Sequence, residues 1–220
     1  MAPSGQRPPA RPGLPPVPWC GVTSRPLVLA SASPARLRLL RDAGLRPRVQ
    51  VSGVDESDCV ATAPAEVVLE LARRKADAVA GTLDGGELVL GCDSMLELDG
   101  EVLGKPADAA EATERWQRMR GRSGTLLTGH ALVDVGTGRT AGATAATTVR
   151  FGTPSDREVA AYVATGEPLH VAGAFTLDGR SAAFLDGIDG DAGNVIGLSL
   201  PLLRSLLAEL DVQLTDLWTA

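Results

Sequence analysis

Four polar clusters in this chain carry residue types that together handle phosphate: Ser31, Ser33 and Arg36; Asp55 and Glu56; Asp93 and Ser94; and Lys105. In LVLASASPARLRLL, Leu27 to Leu40, an apolar strand opens through Ser31, Ser33 and Pro34 into an amphipathic helix. Ser33 suits the cap of that helix and Pro34 its first turn, so the free backbone N–H groups there face any anion in front of them, and Arg36 adds charge. Three carboxylates, Asp55, Glu56 and Asp93, with Lys75 and Lys105 and this helix start, would suit a nucleotide if they met in one cleft. Acids hold a divalent ion, and cations and amides hold phosphates. A free carboxylate could then take the proton of an attacking water. Each residue taken singly also has a plainer reading: a capped turn for Ser33, a solvated loop for Asp55 and Glu56, a solvated helix face for Lys75.

Other reactive types carry less. His130 falls in a strand beside Gly129, and His170 in a loop after Pro168, without a Ser or Cys nucleophile in a recognised setting. Both are expected to be structural. Cys92 precedes Asp93 and is expected to serve as a small buried apolar residue. The segment DGIDGDAGNVIGLSL lacks the ligand spacing and bidentate glutamate of a calcium loop, so turns feeding the last helix are expected there.

The elements that must position these groups alternate. A first strand from Leu27 and a helix stopping at Gly44 lead to a short strand, Arg48 to Ser52. A longer helix follows, with Pro64 in its first turn, a stripe of Val67, Val68, Leu71, Ala72 and Val79, and a stop at Gly81. A buried strand, Leu88 to Cys92, sets Asp93 at its carboxyl end, where ligands gather in open α/β sheets. Asp99 and Gly100 form a two-residue hairpin turn. Beyond it the pattern gives a helix from Asp108 to Met119, two long strands, Thr125 to Val135 and Arg139 to Phe151, and a helix from Ser155 to Ala164. A glycine-rich stretch, a short strand at Ala182 to Leu185 and a last helix from Leu200 to Leu210 complete it. The fold class expected is α/β, with a twisted mixed β-sheet flanked by helices.

Composition narrows the partners. The net charge of −6 and an aromatic content of 3% give neither the basic face nor the stacking platforms of a nucleic-acid binder. No apolar run reaches the roughly 20 residues that span a bilayer, and the N-terminal residues lack the apolar block of a secretion signal. Cys20, Cys59 and Cys92 have neither the even count nor the spacing of a disulfide framework. A cytoplasmic location is therefore expected, without a membrane or nucleic-acid partner. Residues 1–25, crowded with proline, are expected to form a disordered tail ahead of one domain, 26–220. A true start near Thr23 is the alternative.

Taken in order, these segments resemble the Maf family of nucleoside triphosphate pyrophosphatases, from Leu27 to about Leu210. LVLASASPARLRLL is similar to the family's opening strand, loop and helix, VDES at Val54 to Ser57 to its acidic loop, and LARRKADAVA at Leu71 to Ala80 to its lysine helix. GCDSMLELDGEVLGKP, Gly91 to Pro106, resembles the central motif, and GEPLHVAGAF and IDGDAGNVIGLSL continue the match. The resemblance implies two lobes around a nucleotide cleft, as in Maf and ITPase-like folds, and hydrolysis of a nucleoside triphosphate to the monophosphate and pyrophosphate. It further implies a divalent cation, magnesium or manganese, and a homodimer. Asp93 falls on the family's proton acceptor. Ser31, Ser33 and Arg36 would face phosphates, Asp55 and Glu56 with Asp93 the metal, Lys75 and Lys105 the triphosphate, and Ser94 replaces the threonine usual after the acceptor.

Two departures bear on the base. Ala35 stands where pyrimidine-preferring members have the first of two arginines, and Asp178 where they have glutamine. Both point to a base whose N–H groups an acid could accept, such as a methylated guanine. The rival reading is a nucleotide-binding regulator of cell division that senses without cleaving.

Overall fold

Three apolar residues, Leu27–Leu29, form strand β1, which is buried along its length and paired in parallel on both edges. The computed structural model that shows this describes residues 25–55, 59, 61 and 63–218. Of the expected disordered tail, residues 1–24 lie outside the described residues, as does Glu56. Arg25 is tied down, its guanidinium donating to both oxygens of Asp134 and to the Gly86 carbonyl.

On one edge of β1 lies β2 (Arg48–Val49), and on the other β3 (Leu88–Leu98). From β3 onward the pairing is antiparallel: β5 (Ser123–Asp134), β6 (Thr140–Phe151) and β7 (Leu185–Asp189) follow in the order β2-β1-β3-β5-β6-β7. The seventh strand, β4 (Glu101–Leu103), pairs with the far end of β3. Asp99 and Gly100 both have positive φ, 56° and 82°, as a two-residue hairpin turn requires. The sheet is mixed and open, and the fold is α/β.

Helix starts follow local chemistry. Ser33 caps α1 (Pro34–Asp42), and Pro64 opens α2 (Pro64–Ala80). Asp108 caps α3 (Ala109–Met119), and a capping box from Ser155 and Glu158 starts α4 (Asp156–Val163). The short α5 (Ala192–Ile196) and α6 (Leu200–Glu209) follow Asp191 and Ser199 caps. None of the described helices is long and apolar enough to cross a membrane.

The long strands serve two cores. Around β1 and the first half of β3, Leu29, Leu40, Leu90, Leu203 and Leu207 pack under α1 and α6. Around the second half of β3, Leu96 and Leu98 pack with Trp116, Phe151, Tyr162 and Phe175. Edge-to-face contacts of Trp116 with Phe151, Tyr162 and Phe184, and of Phe151 with Phe175, gather five of the six Trp, Tyr and Phe rings among the described residues in this second lobe. Helix α2 covers the other face of the sheet through Ala72, Ala76 and Val79.

Three expected boundaries are corrected. The strand expected to end at Cys92 continues to Leu98, because β5 pairs with it from Leu88 to Glu97 although β1 stops at Leu29. Asp93 therefore sits inside a strand, at the carboxyl end of its parallel portion only. The strand expected at Ala182 to Leu185 is displaced: Arg180–Phe184 is a 3-10 turn and Leu185–Asp189 is the strand, held by β6 across an irregular register. The strand expected to reach Ser52 ends at Val49, where its pairing with β1 runs out.

Candidate active site

Because β1 ends while β3 continues, one edge of β3 lies open between Leu90 and Leu96, where β4 takes it up, and a cleft of about 970 Å³ fills the gap between the two lobes. Consecutive side chains of β3 leave opposite faces of the sheet. Asp93 lies toward α2, and Ser94 toward α1 and α5, and both line the cleft.

Lys75 comes from the middle of α2 and donates from Nζ to Asp93 Oδ1 at 2.6 Å. Two glycines let α2 come this near the sheet. A Cβ on Gly91 would stand 2.2 Å from the Ala72 carbonyl oxygen, and one on Gly129 2.1 Å from that of Val68. Gly129 is directly opposite Asp93 in the β3–β5 ladder, so the closest approach of the helix falls where the carboxylate stands.

On the other face the loop 30–33 and the start of α1 make the wall. Ser31 Oγ accepts from the Ser33 backbone N–H, and Ser33 Oγ from that of Arg36. The Arg36 guanidinium is buried and committed to the protein: Nε donates to the Gly197 carbonyl at 2.8 Å, Nη1 to Ser31 Oγ and the Cys92 carbonyl, and Nη2 to Ser94 Oγ. It thus takes the place that a longer β1 would have held beside Cys92. The Thr128 hydroxyl donates to the Asn194 carbonyl, so at 2.9 Å the Ser94 hydroxyl donates to Thr128. A chain of donors runs from Arg36 through Ser94 and Thr128 to α5.

Lys105, exposed after the β4 hairpin, Asp178, from the 175–179 loop, and Glu167 add to the charged lining. Burial pushes the Cys92 thiol up to about 11, more than Arg36 and Lys75 pull it down, so it stays protonated. Burial holds His130 near 4; its Nε2 accepts from the Ser199 N–H at 2.8 Å, which leaves Nδ1–H to donate to the Thr128 carbonyl.

The family model described as Maf-like protein matches residues 26–210. The chain belongs to the Maf family. A relative from Streptomyces coelicolor, named nucleoside triphosphate pyrophosphatase, is 67% identical over 195 residues, covering 88% of this chain and 95% of its own. One from Streptomyces avermitilis with the same name is 66% identical over 196 residues, 89% of this chain and 95% of its own. A solved nucleoside-triphosphatase, a dITP/XTP pyrophosphatase from Mycobacterium abscessus, covers 84% of this chain and 97% of its own at 13% identity and a TM-score of 0.39, a likeness too loose to carry an argument.

Of the residues singled out from its sequence, this Maf chain brings Ser31, Ser33, Ala35, Arg36, Lys75, Asp93, Ser94, Lys105 and Asp178 to the wall of one cleft. Asp55 does not line it; it is exposed, next to Val54, which does. Among the described residues no three acidic, histidine or cysteine side chains are grouped as metal ligands. Arg36, expected against phosphates, lines the cleft and uses four of its five donors on Ser31, Cys92, Ser94 and Gly197.

Sequence reasoning missed two of the wall's basic side chains. His170, expected to be structural, is exposed on the cleft, and Arg38 pairs with Asp178 across it. Neither has a local signal: His170 belongs to a 3-10 turn, and Arg38 lies on a different face of α1 from Arg36.

Proposed function

We propose that this chain hydrolyses nucleoside triphosphates to the monophosphate and pyrophosphate, by attack of water on the α-phosphorus. The curated relatives carry that activity in their name. The single observation that supports it best is the meeting of the Lys75–Asp93 pair with the Ser31–Ser33 loop and Lys105 in one cleft.

Each residue then has a task. The first turn of α1 and the loop before it offer backbone N–H groups and hydroxyls to phosphate oxygens. Lys105 meets the triphosphate at the exposed side. Lys75 donates to Asp93, which keeps the carboxylate oriented, and its charge attracts the phosphates. Asp93 accepts the proton of the attacking water. Arg36 is a positioning residue that fixes Ser31, Ser94 and the 197 turn.

Magnesium or manganese binds through one or two carboxylates plus substrate phosphates and needs no all-protein cage, and Asp93 on the cleft wall offers such a carboxylate. Asp93, Asp55 and Glu56 are the residues that would hold it. When bound, such an ion neutralises phosphate charge and lowers the pKa of a water. Ala35 and Asp178 favour a purine with N–H donors over a pyrimidine, a methylated guanine among them. We further propose one catalytic domain over 26–220, a cytoplasmic location, a homodimer, and no nucleic-acid partner.

The test is incubation with magnesium and a panel of standard and methylated triphosphates, with pyrophosphate and orthophosphate assayed separately. Pyrophosphate release is expected. Tight nucleotide binding without cleavage would favour a sensing regulator instead.

A further inference from the structure

Arg38 and Asp178 form an ion pair that joins the two lobes across the mouth of the cleft. Arg38 lies between Leu37 and Leu39, which pack on the first core, whereas Asp178 follows Leu177, which packs on the second. The Arg38 side chain is 55% exposed and that of Asp178 only 23%, so the arginine is the more exposed partner of the pair. Both carboxylate oxygens are engaged: Oδ2 faces the Arg38 guanidinium, and Oδ1 accepts from the Thr176 hydroxyl.

A guanidinium presents adjacent N–H donors in one plane. Among nucleobases, guanine offers a similar pair, its ring N1–H beside the exocyclic amine. Cytosine has an acceptor next to its amine, and that acceptor would meet the carboxylate with like charge. We propose that Arg38 is a specificity-determining residue, occupying Asp178 as an internal stand-in for a base edge, so that a nucleotide reaches Asp178 only when its base can displace the guanidinium. Arg38 thereby competes with the base, and the competition is against every base that engages Asp178. A base that ignores Asp178 is unaffected.

This inference rests on the nucleotide reading of the cleft and is tested separately from catalysis. The wild type, Arg38→Gln, Asp178→Asn and the double variant are assayed with guanosine and cytidine triphosphates, and titrated calorimetrically with the corresponding diphosphates. Loss of Arg38 weakens attraction for both phosphate chains alike, so the guanosine-to-cytidine ratio is the readout. In Arg38→Gln that ratio is expected to rise about three-fold, the scale of a partly exposed ion pair. In Asp178→Asn the guanosine preference is lost, and adding Arg38→Gln changes nothing further. Arg38→Lys, which keeps the charge without the planar fork, gives an intermediate ratio. An unchanged ratio in Arg38→Gln, or an equal effect of Arg38 in the presence and absence of Asp178, would overturn the proposal. Should no triphosphate be cleaved, the pyrophosphatase reading fails by itself, and the diphosphate titrations still decide the role of Arg38.

Discussion

Lys75 and Asp93 meet at 2.6 Å, Nζ to Oδ1, each with about a tenth of its side chain exposed. A pair this sheltered is weak support for stability, since desolvating both ions offsets most of their attraction. Its position says more. It stands where β1 stops and β3 goes on, at the floor of the cleft, and α2 reaches it only because Gly91 and Gly129 have no side chains.

Asp93→Asn is expected to lower turnover about 100-fold or more, the usual scale for losing a general base. The amide oxygen still accepts from Lys75, so the variant folds, but the sheltered ammonium loses its counter-charge and the melting temperature falls without the transition being lost. Steady-state rates and a thermal melt check both parts. Undiminished turnover would remove Asp93 from the reaction.

Gly129→Ala sets a methyl group 2.1 Å from the Val68 carbonyl oxygen, and backbone cannot swing aside as a side-chain tip can. Overpacking of this kind costs about 1 to 3 kcal/mol. Since α2 must lift where it carries Lys75 toward Asp93, turnover should fall together with the denaturation midpoint.

Arg36→Lys keeps the charge but not the fork that serves Ser31, Cys92, Ser94 and Gly197 together. We expect it to destabilise the protein by about 2 kcal/mol or more, because hydrogen bonds to charged groups contribute roughly 1.5 to 3 kcal/mol each. Urea unfolding gives the stability. An Arg36→Lys variant as stable as the parent, with only a raised KM, would show that the guanidinium binds substrate instead of bracing the wall.

Stability should depend on pH through His130. Its native value lies near 4 against about 6.5 unfolded, so the unfolded chain binds more protons between those values. The contribution is present above pH 6.5 and is lost as pH falls toward 4. By linkage the loss from pH 7 to pH 5 is on the order of 2 kcal/mol. Unfolding at both pH values measures it, and His130→Asn should lose less over that interval.

Local chemistry made much of the fold readable. Ser33, Pro64, Asp108 and Ser155 mark helix starts through their own hydrogen bonds or ring geometry, and Asp99 and Gly100 mark a hairpin through positive φ. What was not readable depends on partners distant in sequence. Nothing near Asp93 says that β5 will carry β3 on to Leu98, because the polar pair Asp93 and Ser94 looks like a strand end. The strand Leu185–Asp189 is broken by Gly187 and exists through its pairing with β6. The cleft residues could be named one by one, but the commitment of Arg36 to four protein acceptors, and the meeting of Arg38 with Asp178, appear only once the lobes are folded together.

The central claim is that water attacks the α-phosphorus in this cleft, with Asp93 taking its proton. Hydrolysis in 18O-labelled water, followed by mass spectrometry of both products, tests it most directly. Label is expected in the nucleoside monophosphate and none in pyrophosphate, with the signal lost in Asp93→Asn. Label in pyrophosphate, or release of labelled orthophosphate, would contradict it.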